Sequence, residues 1–112
     1  SLYKRIKASD LVSRECSFMT ELPASFVAPE AEIAKDEMIV IQGVADCVFT
    51  EDGQLVIVDY KTDRNKTAKE LCERYAVQLK IYGEAMSQVF NMPVKQLILY
   101  SFELNGEVEV TI

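Results

Sequence analysis

Apolar and polar residues alternate along this chain with two different periods, and the changes of period mark out its elements. Leu2, Tyr3 and Ile6 stand at helical spacing, so Leu2 to Ala8 reads as the end of a helix. No N-cap is recognised before them, and the domain is expected to begin upstream. Leu11 to Thr20 reads as a strand, after which Pro23 and Pro29 punctuate an irregular connection with one helical turn from Pro29 to Ala34. Met38 to Phe49 and Leu55 to Lys61 are strand-like and meet at Asp52-Gly53, a strong hairpin signal. Thr67 and Glu70 form a T-x-x-E capping box, and the helix they start is expected to reach Phe90 before Asn91 and Pro93 close it. Its buried stripe is expected to be Leu71, Tyr75, Leu79, Tyr82, Met86 and Val89. Val94 to Leu104 and Glu107 to Ile112 then pair around Asn105-Gly106. This order predicts an α/β chain: a mixed β-sheet with antiparallel hairpins, flanked by helices.

Composition narrows the picture. With 112 residues, 49% of them apolar, residues 1–112 are expected to make a single domain with core enough for a sheet and a few helices. The longest apolar runs are too short to cross a bilayer and no signal-peptide h-region is present, which predicts a cytoplasmic protein without a membrane partner. Cys16, Cys47 and Cys72 are widely spaced and form no C-x-x-C pair, which argues against a disulfide framework and against zinc or iron–sulfur ligation. The absence of histidine excludes histidine-based triads and histidine-ligated metals within this chain. A net charge of −6 counts, by itself, against nucleic acid as a partner. Between Lys61 and Lys80, however, Lys61, Arg64, Lys66, Lys69, Arg74 and Lys80 outnumber Asp63, Glu70 and Glu73. A solvated helix face with i,i+4 pairs such as Glu70 to Arg74 explains that excess as well as a phosphate-facing surface does.

The candidate chemistry lies in GVADCVFTEDGQLVIVDYKTD, Gly43 to Asp63, where charges interrupt apolar strands. A symmetric loop centred on Asp52-Gly53 pairs positions whose numbers sum to 105, and so sets Asp46 opposite Asp59. Opposed residues share a face with Cβ atoms roughly 5 Å apart, where two carboxylates repel. Alternation adds Lys61 to that face, and it also predicts that Asp46 shares its face with Val40, Val44 and Val48. A buried salt bridge from Lys61 to one aspartate would explain the cluster structurally. A divalent cation held by both carboxylates would remove their repulsion and suits a hard ion such as Mg²⁺ or Mn²⁺, with Lys61 beside a bound water or phosphate. Gln78, on or beside the apolar stripe of the long helix, either caps a neighbouring backbone group or joins Tyr82, one turn on, in facing the carboxylates.

Asp46, the Asp59-Tyr60-Lys61 run after a hairpin, and Gln78-x-x-x-Tyr82 on the next helix resemble the PD-(D/E)XK nuclease superfamily, in its RecB-like branch. The wordings GVAD, DYKTD and RYAVQLKIYGEA are similar to the nuclease domains of bacterial helicase–nucleases of the AddAB (RexAB) kind, from about Arg14 through Tyr100. The resemblance implies a restriction-endonuclease-like core and a Mg²⁺- or Mn²⁺-dependent DNA exonuclease without an iron–sulfur cluster. It further implies that Asp46, Asp59 and Lys61 are catalytic, that Asp46, Asp59 and the Tyr60 carbonyl bind the metal, and that Gln78 and Tyr82 order the site and contact DNA. Implied partners are DNA, a helicase portion of the same polypeptide and a second nuclease subunit of the AddB (RexB) kind. Two features depart from the pattern: Ala45 stands where the superfamily name has proline, and the upstream ligand, often histidine, is missing. Glu15 matches a recurrent glutamate of the branch and is not assigned to the metal. Two other readings fit the same residues, namely an inactive nuclease-fold module and a stand-alone RecB-like exonuclease or resolvase.

Overall fold

The computed structural model describes residues 1–27 and 37–111. The elements follow the order α1 (Leu2–Ala8), β1 (Val12–Pro23), α2 (Ala24–Val27), β2 (Met38–Glu51), β3 (Gln54–Lys61), α3 (Ala68–Phe90), β4 (Val94–Ser101) and β5 (Gly106–Val110). The strands form one mixed sheet in sequence order, β1-β2-β3-β4-β5. All neighbours are antiparallel except β3 and β4, which are parallel because α3 carries the chain back across the sheet between them. Helix α3 covers one face with Leu71, Leu79, Ala85 and Met86 against Val48, Leu55, Ile57, Leu97 and Leu99. Helix α1 covers part of the other, seating Leu2 and Ile6 among Cys47, Phe49, Val56, Val58 and Ile98. No helix among the described residues is long and apolar enough to cross a membrane.

Local chemistry accounts for most element ends. Asp52 (φ 56°) and Gly53 (φ 74°) both take left-handed backbone, as a two-residue primed turn requires, and β2 and β3 pair from Glu51↔Gln54 through Cys47↔Val58. That is the register expected from the turn. Thr67 and Glu70 make the reciprocal capping box of α3, and Asn91 ends it in the left-handed region (φ 53°). Met86 and Leu79 lie in the stripe as expected, but Val89 is 49% exposed, and Gly83 and Ala85 take the inner positions near the C-terminal end. A Cβ on Gly83 would come within 2.9 Å of Leu97, so the close approach of α3 to β4 depends on that glycine.

Several boundaries differ from the expected ones. Ser1 does cap α1, its side chain accepting from Lys4 N. Strand β1 continues through Pro23; it is an edge strand, where proline's missing N–H costs no ladder bond. Strand β4 stops at Ser101, whose hydroxyl accepts from Leu104 N and shapes a four-residue turn before Gly106. The helical turn expected from Pro29 to Ala34 and the end of the last strand at Ile112 lie outside the described residues. Glu70 serves the capping box instead of pairing with Arg74, which lies 3.8 Å from Asp63.

The largest correction concerns β2. Ala45 packs with the α3 core, whereas Cys47, two residues on, packs with the α1 core; regular alternation would put both on one face. Glu15 on β1, opposite Asp46 in the register between Arg14↔Cys47 and Cys16↔Ala45, sits at φ 50°. The two strands therefore rotate together at the Glu15–Asp46 step. As a result Val40 and Val44 are 57% and 50% exposed and do not share a face with Asp46, while Ala45 and Ile41 turn toward α3.

Candidate active site

The rotation at Glu15–Asp46 coincides with the point where β2 and β3 separate. Their ladder ends at Cys47↔Val58, and β3 goes on alone beside β4 through Lys61↔Ser101. The Tyr60 N–H, which faces the opening, donates to Asp46 Oδ2 at 2.8 Å. Asp46 thus replaces a strand neighbour for Tyr60 and leaves its second oxygen uncommitted to that bond. Asp59, at the expected register position, hydrogen-bonds to Asp46 and lies 2.9 Å from the Lys61 ammonium. Lys61 and Asp59 are only 17% and 15% exposed. Burial, and then the neighbouring Asp46 carboxyl, push Asp59 up from the usual carboxylate range to about 6, against the opposing pull of Lys61. Two acids and one base are therefore gathered in a space where a single ammonium does not neutralise both carboxylates.

Around this centre the structure adds residues that sequence reasoning passed over. The Tyr75 ring lies under the Lys61 ammonium at 3.9 Å from its centroid. Its hydroxyl donates to both carboxylate oxygens of Asp63, each at 2.9 Å. The signal was present: Asp63 closes the DYKTD run and Tyr75 stands on the apolar stripe of α3. Only the packing of α3 on β3 joins them.

The remaining pair sits to one side. Tyr82 packs edge-on against Phe18, with ring centroids 4.9 Å apart, and its hydroxyl lies over Gly43. A Cβ on Gly43 would stand 2.6 Å from that oxygen, which explains a glycine at the head of GVAD. Gln78 is exposed, contrary to the inward orientation expected of it, and its Nε2 lies 3.5 Å from the Tyr82 hydroxyl. Both residues therefore flank β2 three residues before Asp46 rather than touching the carboxylates themselves.

As ligands, Asp46 and Asp59 offer hard oxygen donors brought within mutual contact and a raised proton affinity that a divalent cation would relieve, so the set fits Mg²⁺ or Mn²⁺. Among the described residues no third histidine, cysteine, aspartate or glutamate joins them in a metal-binding group. Cys47 is buried on the opposite face, where burial pushes its thiol up.

A mixed sheet that opens between two strands to expose a carboxylate pair and a lysine defines a nuclease core of the D-x-K type. The chain belongs to the PD-(D/E)XK nuclease superfamily, whose profile matches residues 3–110. It is 40% identical over 111 residues to one subunit of an ATP-dependent helicase/nuclease from Clostridium botulinum, covering 97% of this chain and 9% of that protein. The corresponding protein of Clostridium kluyveri, which carries the same name, is 37% identical over 100 residues, covering 88% of this chain and 8% of that one. The chain thus spans about a tenth of the length of these curated relatives. The crystal structure of SSO0001 superposes with a TM-score of 0.59 at 18% identity, covering 98% of this chain and 46% of that one, and supports the restriction-endonuclease-like fold.

Proposed function

We propose that this chain is the catalytic core of a divalent-metal-dependent deoxyribonuclease, acting as an exonuclease during DNA end processing in double-strand break repair and recombination. The observation that carries the reading is the convergence of Asp46, Asp59 and Lys61 where β2 and β3 part, in a member of this superfamily. Asp46 and Asp59, with the backbone carbonyl of Tyr60, would hold Mg²⁺ or Mn²⁺. When bound, such an ion polarises a phosphoryl oxygen and acidifies a water.

The residues themselves do the rest. In phosphodiester hydrolysis a water oxygen bonds to phosphorus while a phosphorus–oxygen ester bond breaks, and the departing oxygen takes up a proton. Negative charge builds on the non-bridging oxygens, and the Lys61 ammonium, fixed beside Asp59, is placed to offset it. Exclusion of water around these largely buried groups strengthens that interaction. Gln78 and Tyr82 shape the adjoining wall of β2 and would meet the substrate strand there. The name carried by the clostridial relatives supports a helicase portion in the same polypeptide, a second subunit of the AddB (RexB) kind, and a cytoplasmic place of action in a bacterium.

Asp59→Ala and Lys61→Ala in the full-length protein test the reading. Each is expected to lower Mg²⁺-dependent DNA degradation by about 100-fold or more, while ATP-driven unwinding is retained. Degradation that persists in both variants overturns the assignment.

A further inference from the structure

Two groups hold the Lys61 ammonium: the Asp59 carboxylate at 2.9 Å and the face of Tyr75 at 3.9 Å from the ring centroid. They hold it by different means. A carboxylate attracts the ammonium with its full charge, and the same charge is what a divalent cation would draw on. An aromatic face attracts it through the ring quadrupole and offers a metal no ligand. Tyr75 is thus a seat for Lys61 that does not compete for Asp59. The ring is itself fixed at both ends, by its attachment to α3 between the buried Leu71 and Leu79, and by its hydroxyl on Asp63, a side chain only 16% exposed. Arg74 adds a second cation near the ring, 5.4 Å from its centroid and 3.8 Å from Asp63.

We propose that Tyr75 is a positioning residue for the nuclease reaction: its ring, steered by Asp63, keeps the Lys61 ammonium at the carboxylate pair whether or not Asp59 is engaged elsewhere. The inference rests on the nuclease reading for its consequence but not for its geometry. It separates two parts of the tyrosine. The ring acts on Lys61, and the hydroxyl acts on the ring.

Tyr75→Phe keeps the face and loses the bond to Asp63, whereas Tyr75→Leu keeps apolar bulk and loses the face. In the full chain, Tyr75→Leu is expected to lower kcat roughly tenfold with KM within about twofold, and Tyr75→Phe to restore kcat to within about threefold of the parent. A second readout needs neither metal nor substrate. With ¹³C-labelled lysine, the Lys61 ε-methylene protons are expected to be shifted upfield by the ring current in the parent and in Tyr75→Phe, and to lose that shift in Tyr75→Leu. Unchanged kcat and shift in Tyr75→Leu, equal losses in both variants, or a rise in KM alone each overturn the proposal. Should Tyr75→Leu not fold, Tyr75→Phe alone decides: loss of its upfield shift overturns the inference. Full activity in Lys61→Ala would instead sink the catalytic role of Lys61, and the ring-current result would still stand or fall by itself.

Discussion

The two ends of β3 each carry a cluster of acids and bases, and the clusters are built on opposite terms. At the Asp52-Gly53 turn, Glu51 accepts from Arg5 Nε and Nη2, both at 2.9 Å, and from Lys95 at 2.8 Å, while Asp52 also holds Lys95 at 2.8 Å; Gln96 completes the Arg5 shell. Every acid there has a base. Hydrogen bonds from Arg5 and then Lys95 hold Glu51 well below its ordinary range, at about 2. At the other end, Asp46 and Asp59 share a single lysine in a largely buried opening, and Asp59 is pushed the other way, to about 6. The first arrangement ties α1 and β4 to the hairpin. The second leaves negative charge uncompensated, which costs stability and is the condition that favours a cation.

The largest effect should come from removing that surplus charge. Asp59→Asn is expected to lower DNA cleavage by about 100-fold or more while leaving the fold as stable as before or more stable by on the order of 1 kcal/mol. Nuclease assays and thermal melting of the same preparation check both halves; a loss of several kcal/mol would mean that the pair is a structural bridge. Next in size is Gly43→Ala, which forces a methyl onto the Tyr82 hydroxyl at 2.6 Å and should cost about 1–3 kcal/mol. Denaturant melts of Gly43→Ala with and without Tyr82→Phe check it, because removing the hydroxyl should recover part of the loss. Glu51→Gln breaks the matched cluster and should cost on the order of 1 kcal/mol, since the pairs are partly exposed, with no change in cleavage.

The smallest effect is a pair of opposed pH slopes. The folded Asp59 keeps its proton where the unfolded chain, near 3.8, has lost it. Its contribution to stability is present below about pH 4 and is lost as pH rises through about 6. Glu51 does the reverse: its contribution is present above its ordinary 4.5 and is lost as pH falls through about 2. Melting temperature against pH should therefore lose its fall between about pH 4 and 6 in Asp59→Asn and its rise below about pH 4.5 in Glu51→Gln. Divalent-cation affinity should climb as pH rises through about 6 and show no such climb in Asp59→Asn.

Whatever rests on neighbouring residues was readable in the sequence alone. The Asp52-Gly53 turn needs two left-handed residues, and it sets the register that brings Asp46 opposite Asp59 with Lys61 beside them. Thr67, Glu70 and Asn91 likewise fix the ends of α3 through bonds within one helical turn. What the tertiary structure alone decided is how these pieces are rotated and what lies over them. Alternation counted from Asp46 puts Val40 and Val44 on the wrong face, because β1 and β2 turn together at Glu15–Asp46, a rotation shared by two strands and invisible in either. Gln78 and Val89 read as inward by helical spacing, yet the sheet under α3 is too narrow to cover them, and Gly83 and Ala85 make the close contact instead. Tyr75 reaches Lys61 only because a parallel crossover lays the first turns of α3 across the end of β3. Register is a local property of a turn, and the sequence therefore placed the charges. Facing and enclosure depend on which surfaces bury one another, and only the assembled sheet and helix settle them.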